Sequence, residues 1–168
     1  MPDKGTRDGG RGTGSAPPPS PADLEGMAAA LAEAELAAAS DEVPVGAAVM
    51  RDGRVIARAH NETVARHDPT AHAELLAIQE ALRAAGSDRL TDATLYVTLE
   101  PCAQCAGAIV LAKVGRLVFG TPDPKAGMCG SVGDVVRHPR LNHRLEVIGG
   151  VEAAACARLL QEFFTARR

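Results

Sequence analysis

The sequence predicts an α/β fold: a sheet with helices packed on its faces, opened by an antiparallel hairpin. Three observations carry this. Apolar runs of strand length alternate with helix-like stretches in the order α-β-β-α-β-α-β-β-α. The dipeptide Asp52-Gly53, which favours a tight hairpin turn, joins the first two strand runs. Hydrophobic residues make up 46% of the 168, many of them alanine, so one domain of this length can bury a core without disulfide staples.

In chain order, residues 1–22 contain five Gly and five Pro and no apolar side chain larger than Met1. Such a stretch cannot bury enough surface to offset its ordering entropy, so it reads as a disordered tail ahead of one domain over residues 23–168. Asp23 is a candidate N-cap. Leu24, Met27, Leu31 and Ala34 follow it at helical spacing, in an Ala-rich stretch that reaches Ala39. Residues 45–50 and 55–59 form the hairpin strands. Asp68-Pro69 offers a cap followed by proline, which predicts a helix opening there and running to about Ala85, where Gly86 stops it. Residues 94–99 read as a strand that hands over at Pro101 to a helix reaching about Ala112. Strands over 116–120 and 145–148 and a helix over 152–166 complete the order.

Composition excludes several classes. The formal net charge is −3 and there are four aromatic residues, Tyr96, Phe119, Phe163 and Phe164, with no Trp. A polybasic nucleic-acid binder with many stacking platforms does not fit these totals. No apolar run approaches the ~18 residues of a spanning helix. The N-terminus lacks the apolar region of a secretory signal, which makes the cytosol the expected compartment. In the cytosol the four cysteines, Cys102, Cys105, Cys129 and Cys156, do not suggest a disulfide framework, and a Cys-x-x-Cys pair points to a metal or redox site.

Two local patterns carry chemistry. His72-Ala73-Glu74 lies at a helix start, and Pro101-Cys102-Ala103-Gln104-Cys105 lies where a strand passes into a helix. Cys102 and Cys105 are three apart and share one side of a helical turn, as two ligands of one metal must. Zinc takes thiolates and imidazole tetrahedrally, and a catalytic site keeps three protein ligands and an open position. His72 supplies the third ligand. Positive charge at a helix N-terminus favours thiolates there. Residues two apart on a helix diverge, so Glu74 is a poor joint ligand with His72. A pocket wrapped around the helix end can still meet both, which leaves Glu74 free to move protons. Cys129 and Cys156 read as small buried thiols outside the site.

His-x-Glu followed by Pro-Cys-x-x-Cys is the signature of the zinc nucleobase deaminases. With it, the chain resembles the bacterial tRNA-specific adenosine deaminases of the cytidine-deaminase-like superfamily, from about Asp41 to the C-terminus. The resemblance rests on Val43-Pro44-Val45-Gly46-Ala47, on the run from His67 through Asp68-Pro69-Thr70-Ala71 to Glu74, and on the run from Thr94 to Cys102. It continues through Cys105-Ala106-Gly107-Ala108-Ile109, Phe119-Gly120 with Asp123 and Lys125, and Leu141-Asn142-His143-Arg144. The chain departs from the family at Gln104, where Met is common, and at Cys129, where a small residue is usual.

The resemblance implies a three-layer α/β/α sandwich around a mixed five-stranded sheet, one zinc ion per subunit, a homodimer and a cytoplasmic enzyme. It implies conversion of adenosine to inosine at the wobble position of a tRNA anticodon loop. His72, Cys102 and Cys105 are then the zinc ligands and Glu74 the proton shuttle. Asn61 hydrogen-bonds the base, and Asp123 and Lys125 lie near the flanking nucleotides. The metal motif does not itself read the substrate, so a small-molecule deaminase acting on cytosine, guanine or adenine stays open. A structural zinc module is a third possibility, although structural zinc usually has four ligands. Charge is unevenly divided: six basic against fourteen acidic residues over 23–100, then nine against five over 101–168. The basic second half suits an enzyme that reads a small piece of RNA.

Overall fold

The structure, a computed structural model, describes residues 17–168. Most of the expected tail, residues 1–16, lies outside the described residues. The elements follow the order α1 (Pro21–Ala39), β1 (Gly46–Arg51), β2 (Arg54–His60), α2 (Ala73–Ala85), β3 (Ala93–Leu99), α3 (Ala103–Leu111), β4 (Arg116–Thr121), β5 (Glu146–Gly149) and α4 (Ala153–Thr165). One five-stranded sheet runs β2-β1-β3-β4-β5. β1 is antiparallel to both β2 and β3, whereas β3, β4 and β5 are parallel, so the sheet is mixed as expected.

The hairpin forms where the sequence places it. Asp52 and Gly53 both adopt positive φ, 53° and 73°, and the flanking Arg51 and Arg54 pair across the turn. Two positive φ values in a two-residue loop twist in the same sense as the strands. A bulge follows, because Val49 pairs with Ala57 while Met50 pairs with Val55.

Alternation along the inner strands separates two cores. Ala47, Val49, Leu95, Val97, Leu117 and Phe119 pack on one face with Ala77 and Ile78 of α2 and Ile109 of α3. Met50, Tyr96 and Val118 face the other way, against Met27 and Ala30 of α1 and Cys156 of α4. The period of two sends successive side chains into opposite layers, which gives the three-layer sandwich. Small residues let the layers approach closely. A Cβ on Gly46 would stand 2.0 Å from the Ala30 carbonyl oxygen, so α1 lies directly on β1.

Two helix starts differ from the expectation. α1 is capped by Ser20, whose hydroxyl accepts the Asp23 N–H at 3.1 Å, with proline in the first position. Pro21 and Ala22 thus belong to the helix and not to the tail. Asp23 is drawn inward: its carboxylate accepts from Arg116 at 2.5 and 2.9 Å and from the Tyr96 hydroxyl at 2.9 Å. α2 does not open at Asp68-Pro69. The Asp68 Oδ1 accepts from the Thr70 N–H at 2.8 Å and the Thr70 hydroxyl at 2.6 Å, closing a separate turn. The helix begins at Ala73 behind His72, whose backbone is extended (φ −80°, ψ 149°). At its other end Gly86 takes the left-handed conformation (φ 59°) that terminates the helix as expected.

Candidate active site and metal centre

β1 is antiparallel to both of its neighbours, so β2, β3 and β4 all point the same way. Their carboxyl ends open on one edge of the sheet, where ligands of open α/β sheets bind. Asn61 follows β2, Cys102 follows β3 and Asp123 follows β4 at that edge. The N-termini of α2 and α3 converge there, and His72 and Cys102 are the residues capping them.

The three expected ligands meet. His72 Nδ1 lies 3.5 Å from the Cys102 sulfur and 3.5 Å from the Cys105 sulfur. Tetrahedral zinc, at ~2.05 Å from nitrogen and ~2.3 Å from sulfur, sets N and S ligand atoms ~3.6 Å apart. The donor set therefore fits zinc in both chemistry and spacing. Among the described residues this is the cluster of His, Cys, Asp and Glu able to hold a metal. Three protein donors leave a fourth position of the tetrahedron open. The neighbouring Cys105 sulfur holds the Cys102 thiol well below its usual range, at about 5, while Cys102 and burial push Cys105 up.

Glu74 is the second residue of α2 and is 4% exposed. Burial pushes its carboxyl up to about 7. His72 is outside the helix while Glu74 is inside it, so the two line the same cavity despite their spacing. That cavity, of about 280 Å³, is also lined by Asn61, Cys102, Asp123, Glu100 and Val45.

The Asn61 Oδ1 accepts the Ala73 N–H at 2.9 Å, and its amide nitrogen has no protein partner among the described residues. The Asp123 Oδ1 accepts from the backbone of Lys125 (3.0 Å) and Ala126 (3.2 Å), so it shapes its own turn while bordering the cavity. Lys125 stands apart. It lines a neighbouring, more apolar cavity of about 630 Å³ with Pro122, Pro124 and Phe164, which shares Val43, Leu99 and Asp123 with the first. Cys129 and Cys156 are 2% and 1% exposed and lie outside the ligand cluster, as expected.

Two buried carboxylates went unassigned in the sequence. Glu100, 2% exposed, accepts from the backbone of Asp123 (3.3 Å), Cys129 (3.1 Å) and Ser131 (3.2 Å) and from the Ser131 hydroxyl. It anchors the loop after β4 to the segment carrying Cys102. Glu42, 1% exposed, accepts from the backbone of Val64 (2.9 Å) and Ala65 (2.7 Å) and from the Thr63 hydroxyl (3.2 Å), fixing the loop between Asn61 and His72. The available signal was an acid within two residues of a proline at the edge of an apolar strand run.

Fold and site together define a deaminase: residues 22–168 match the family model described as MafB19-like deaminase, and the chain belongs to that family. Over 138 residues it is 47% identical to the tRNA-specific adenosine deaminase of Bacillus subtilis, covering 82% of this chain and 86% of that one. The protein of the same name from Agrobacterium fabrum is 45% identical over 142 residues, covering 84% and 93%. Among solved structures, one from a study of A-to-I editing by tRNA:A34 deaminases at the wobble position superposes with a TM-score of 0.78 at 45% identity. That match covers 81% of this chain and 99% of the other. A guanine deaminase from Nitrosomonas europaea superposes at 0.74 with 26% identity, covering 87% and 85%.

Proposed function

We infer that this protein catalyses the zinc-dependent hydrolytic deamination of adenosine to inosine at the wobble position of a tRNA anticodon loop. The observation that carries the chemistry is the triad His72, Cys102 and Cys105, of which His72 and Cys102 line one cavity with the buried carboxyl of Glu74. The substrate follows from the relatives: 45–47% identity to tRNA adenosine deaminases, against 26% to the guanine deaminase.

His72, Cys102 and Cys105 hold the metal. Bound zinc would supply Lewis acidity that lowers the pKa of water towards neutrality. Glu74 takes one proton from the attacking water and gives it to the base ring, then carries the water's other proton to the departing amine. Its raised pKa suits a group that must both accept and donate near neutral pH. Water adds at C6, ammonia leaves and inosine results. The Asn61 amide nitrogen hydrogen-bonds the base at the cavity wall. A base stacked in a duplex cannot enter such a cavity, so the target is flipped out of a single-stranded loop. Asp123 borders the path to flanking nucleotides, and Lys125, one cavity away, meets a phosphate or base beyond the target.

The same reading makes the protein a cytoplasmic homodimer with one zinc per subunit. Resemblance to the family supports the dimer, and a tRNA substrate supports the compartment. No helix among the described residues is long and apolar enough to cross a membrane.

The substrate is tested by incubating purified protein with an anticodon stem-loop bearing a wobble A and, separately, with adenosine, cytosine and guanine. Inosine in the stem-loop is the expected product. Conversion of a free base with the stem-loop untouched would overturn the reading in favour of a small-molecule deaminase.

A further inference from the structure

We propose that Gln104 is a positioning residue for the metal centre: its carboxamide ties the segment carrying His72 to the helix carrying Cys102 and Cys105. This rests on the zinc site described above. Gln104 stands between the two cysteines, in the first turn of α3. Its Nε2 donates to the Thr70 carbonyl at 3.0 Å, across 34 residues of sequence. A carbonyl oxygen only accepts, so the nitrogen end of the carboxamide faces Thr70. The same carbonyl accepts the backbone N–H of His72 at 2.7 Å. Both of its lone pairs are thus engaged, one by a metal ligand's backbone and one by Gln104.

Thr70 is held from the far side as well, through the Asp68 carboxylate on its N–H and hydroxyl. Gln104 therefore closes a clamp on a loop that has no regular structure of its own. Its amide nitrogen carries two hydrogens, and it also lies 3.8 Å from the Cys105 sulfur, within reach for an N–H···S bond. One side chain holds the carbonyl that accepts the backbone N–H of one ligand and donates to the sulfur of another. Holding the three ligands in place before the metal arrives reduces the ordering that binding must impose. Donation to the sulfur makes it a weaker electron donor to a bound ion.

Gln104→Met keeps the length of the side chain and removes both donors. Gln104→Glu keeps its shape and sets acceptor oxygens against an acceptor carbonyl. Zinc retention is measured by competition with a chromophoric chelator. In parallel, the thiolate-to-metal charge-transfer band is recorded for the cobalt-substituted proteins, which reports only on the folded, metal-bound fraction. Gln104→Met is expected to weaken zinc binding by about 10-fold, the lower end of the range for residues that support metal ligands. Gln104→Glu is expected to weaken it further, and the band should move to lower energy in both variants. Wild-type retention and an unmoved band in both variants would overturn the role of Gln104 alone. Failure of the wild-type protein to bind zinc would instead overturn the reading of the site.

Discussion

The side-chain oxygen of Asn61 accepts the backbone N–H of Ala73 at 2.9 Å, and Ala73 is the residue between His72 and Glu74. One hydrogen bond thus fastens the end of β2 to the turn that presents both the nitrogen ligand and the proton carrier. Ala73 is fully buried, so no water stands ready to replace the acceptor.

Asn61→Ala leaves that N–H without a partner, which costs about 1–3 kcal/mol. For a chain of this size, each kcal/mol lowers Tm by about 2–4 °C. Calorimetry on the zinc-loaded variant checks this, and the turnover number should fall while zinc content stays at the wild-type level. An unchanged Tm with normal turnover would show that Asn61 neither anchors α2 nor touches the base.

Features set by neighbouring residues were legible in the sequence. Asp52-Gly53 makes its turn from its own φ preferences, and Cys102 and Cys105 share a side because of helical spacing. Features set by distant partners were not. Asp23 has the composition of an N-cap, yet Arg116, 93 residues away, draws it into an ion pair and Ser20 takes the cap. Asp68-Pro69 reads as a helix start, but the turn closed by the Asp68 carboxylate on Thr70 displaces the helix to Ala73. Glu42 and Glu100 bond backbone N–H groups in irregular loops, where no periodicity signals a partner. Asp123 and Lys125 are two residues apart, and only the turn geometry reveals that Asp123 borders the ligand cavity while Lys125 reaches only its neighbour.

The Asp23–Arg116 pair makes stability depend on acid. The Arg116 guanidinium, with the Tyr96 hydroxyl, holds the Asp23 carboxyl at about 2 against an ordinary value of 3.8. A depressed pKa contributes stability that is complete above the unfolded value and is lost as pH falls towards the folded one. Urea unfolding between pH ~5 and ~2 should therefore show a loss on the order of 2 kcal/mol that Asp23→Asn lacks. The variant should also be less stable than wild type at neutral pH. Parallel acid limbs in the two proteins would contradict this role for the pair.

Glu100 and Gly127 test how the loop after β4 is held. A Cβ on Gly127 would stand 2.1 Å from a Glu100 carboxylate oxygen, so Gly127→Ala must push that carboxylate off its N–H partners. Hydrogen exchange at Cys129 and Ser131 should accelerate at least 10-fold in Gly127→Ala, since an opening cheaper by about 1.4 kcal/mol gives that factor. Glu100→Ala should accelerate the same two amides. Wild-type exchange at both positions in both variants would show that the loop is secured elsewhere.

The most direct measurement is the inosine formed in a wobble-A stem-loop by zinc-loaded wild-type protein and by zinc-loaded Glu74→Gln, with metal content determined on the same samples. Both proteins should carry about one zinc per chain, because His72, Cys102 and Cys105 are intact. The variant should lose about 10²–10⁴-fold in rate, the usual contribution of a positioned proton carrier. Wild-type rates of inosine formation by zinc-replete Glu74→Gln would contradict the assignment of Glu74, and with it the mechanism built on this cavity.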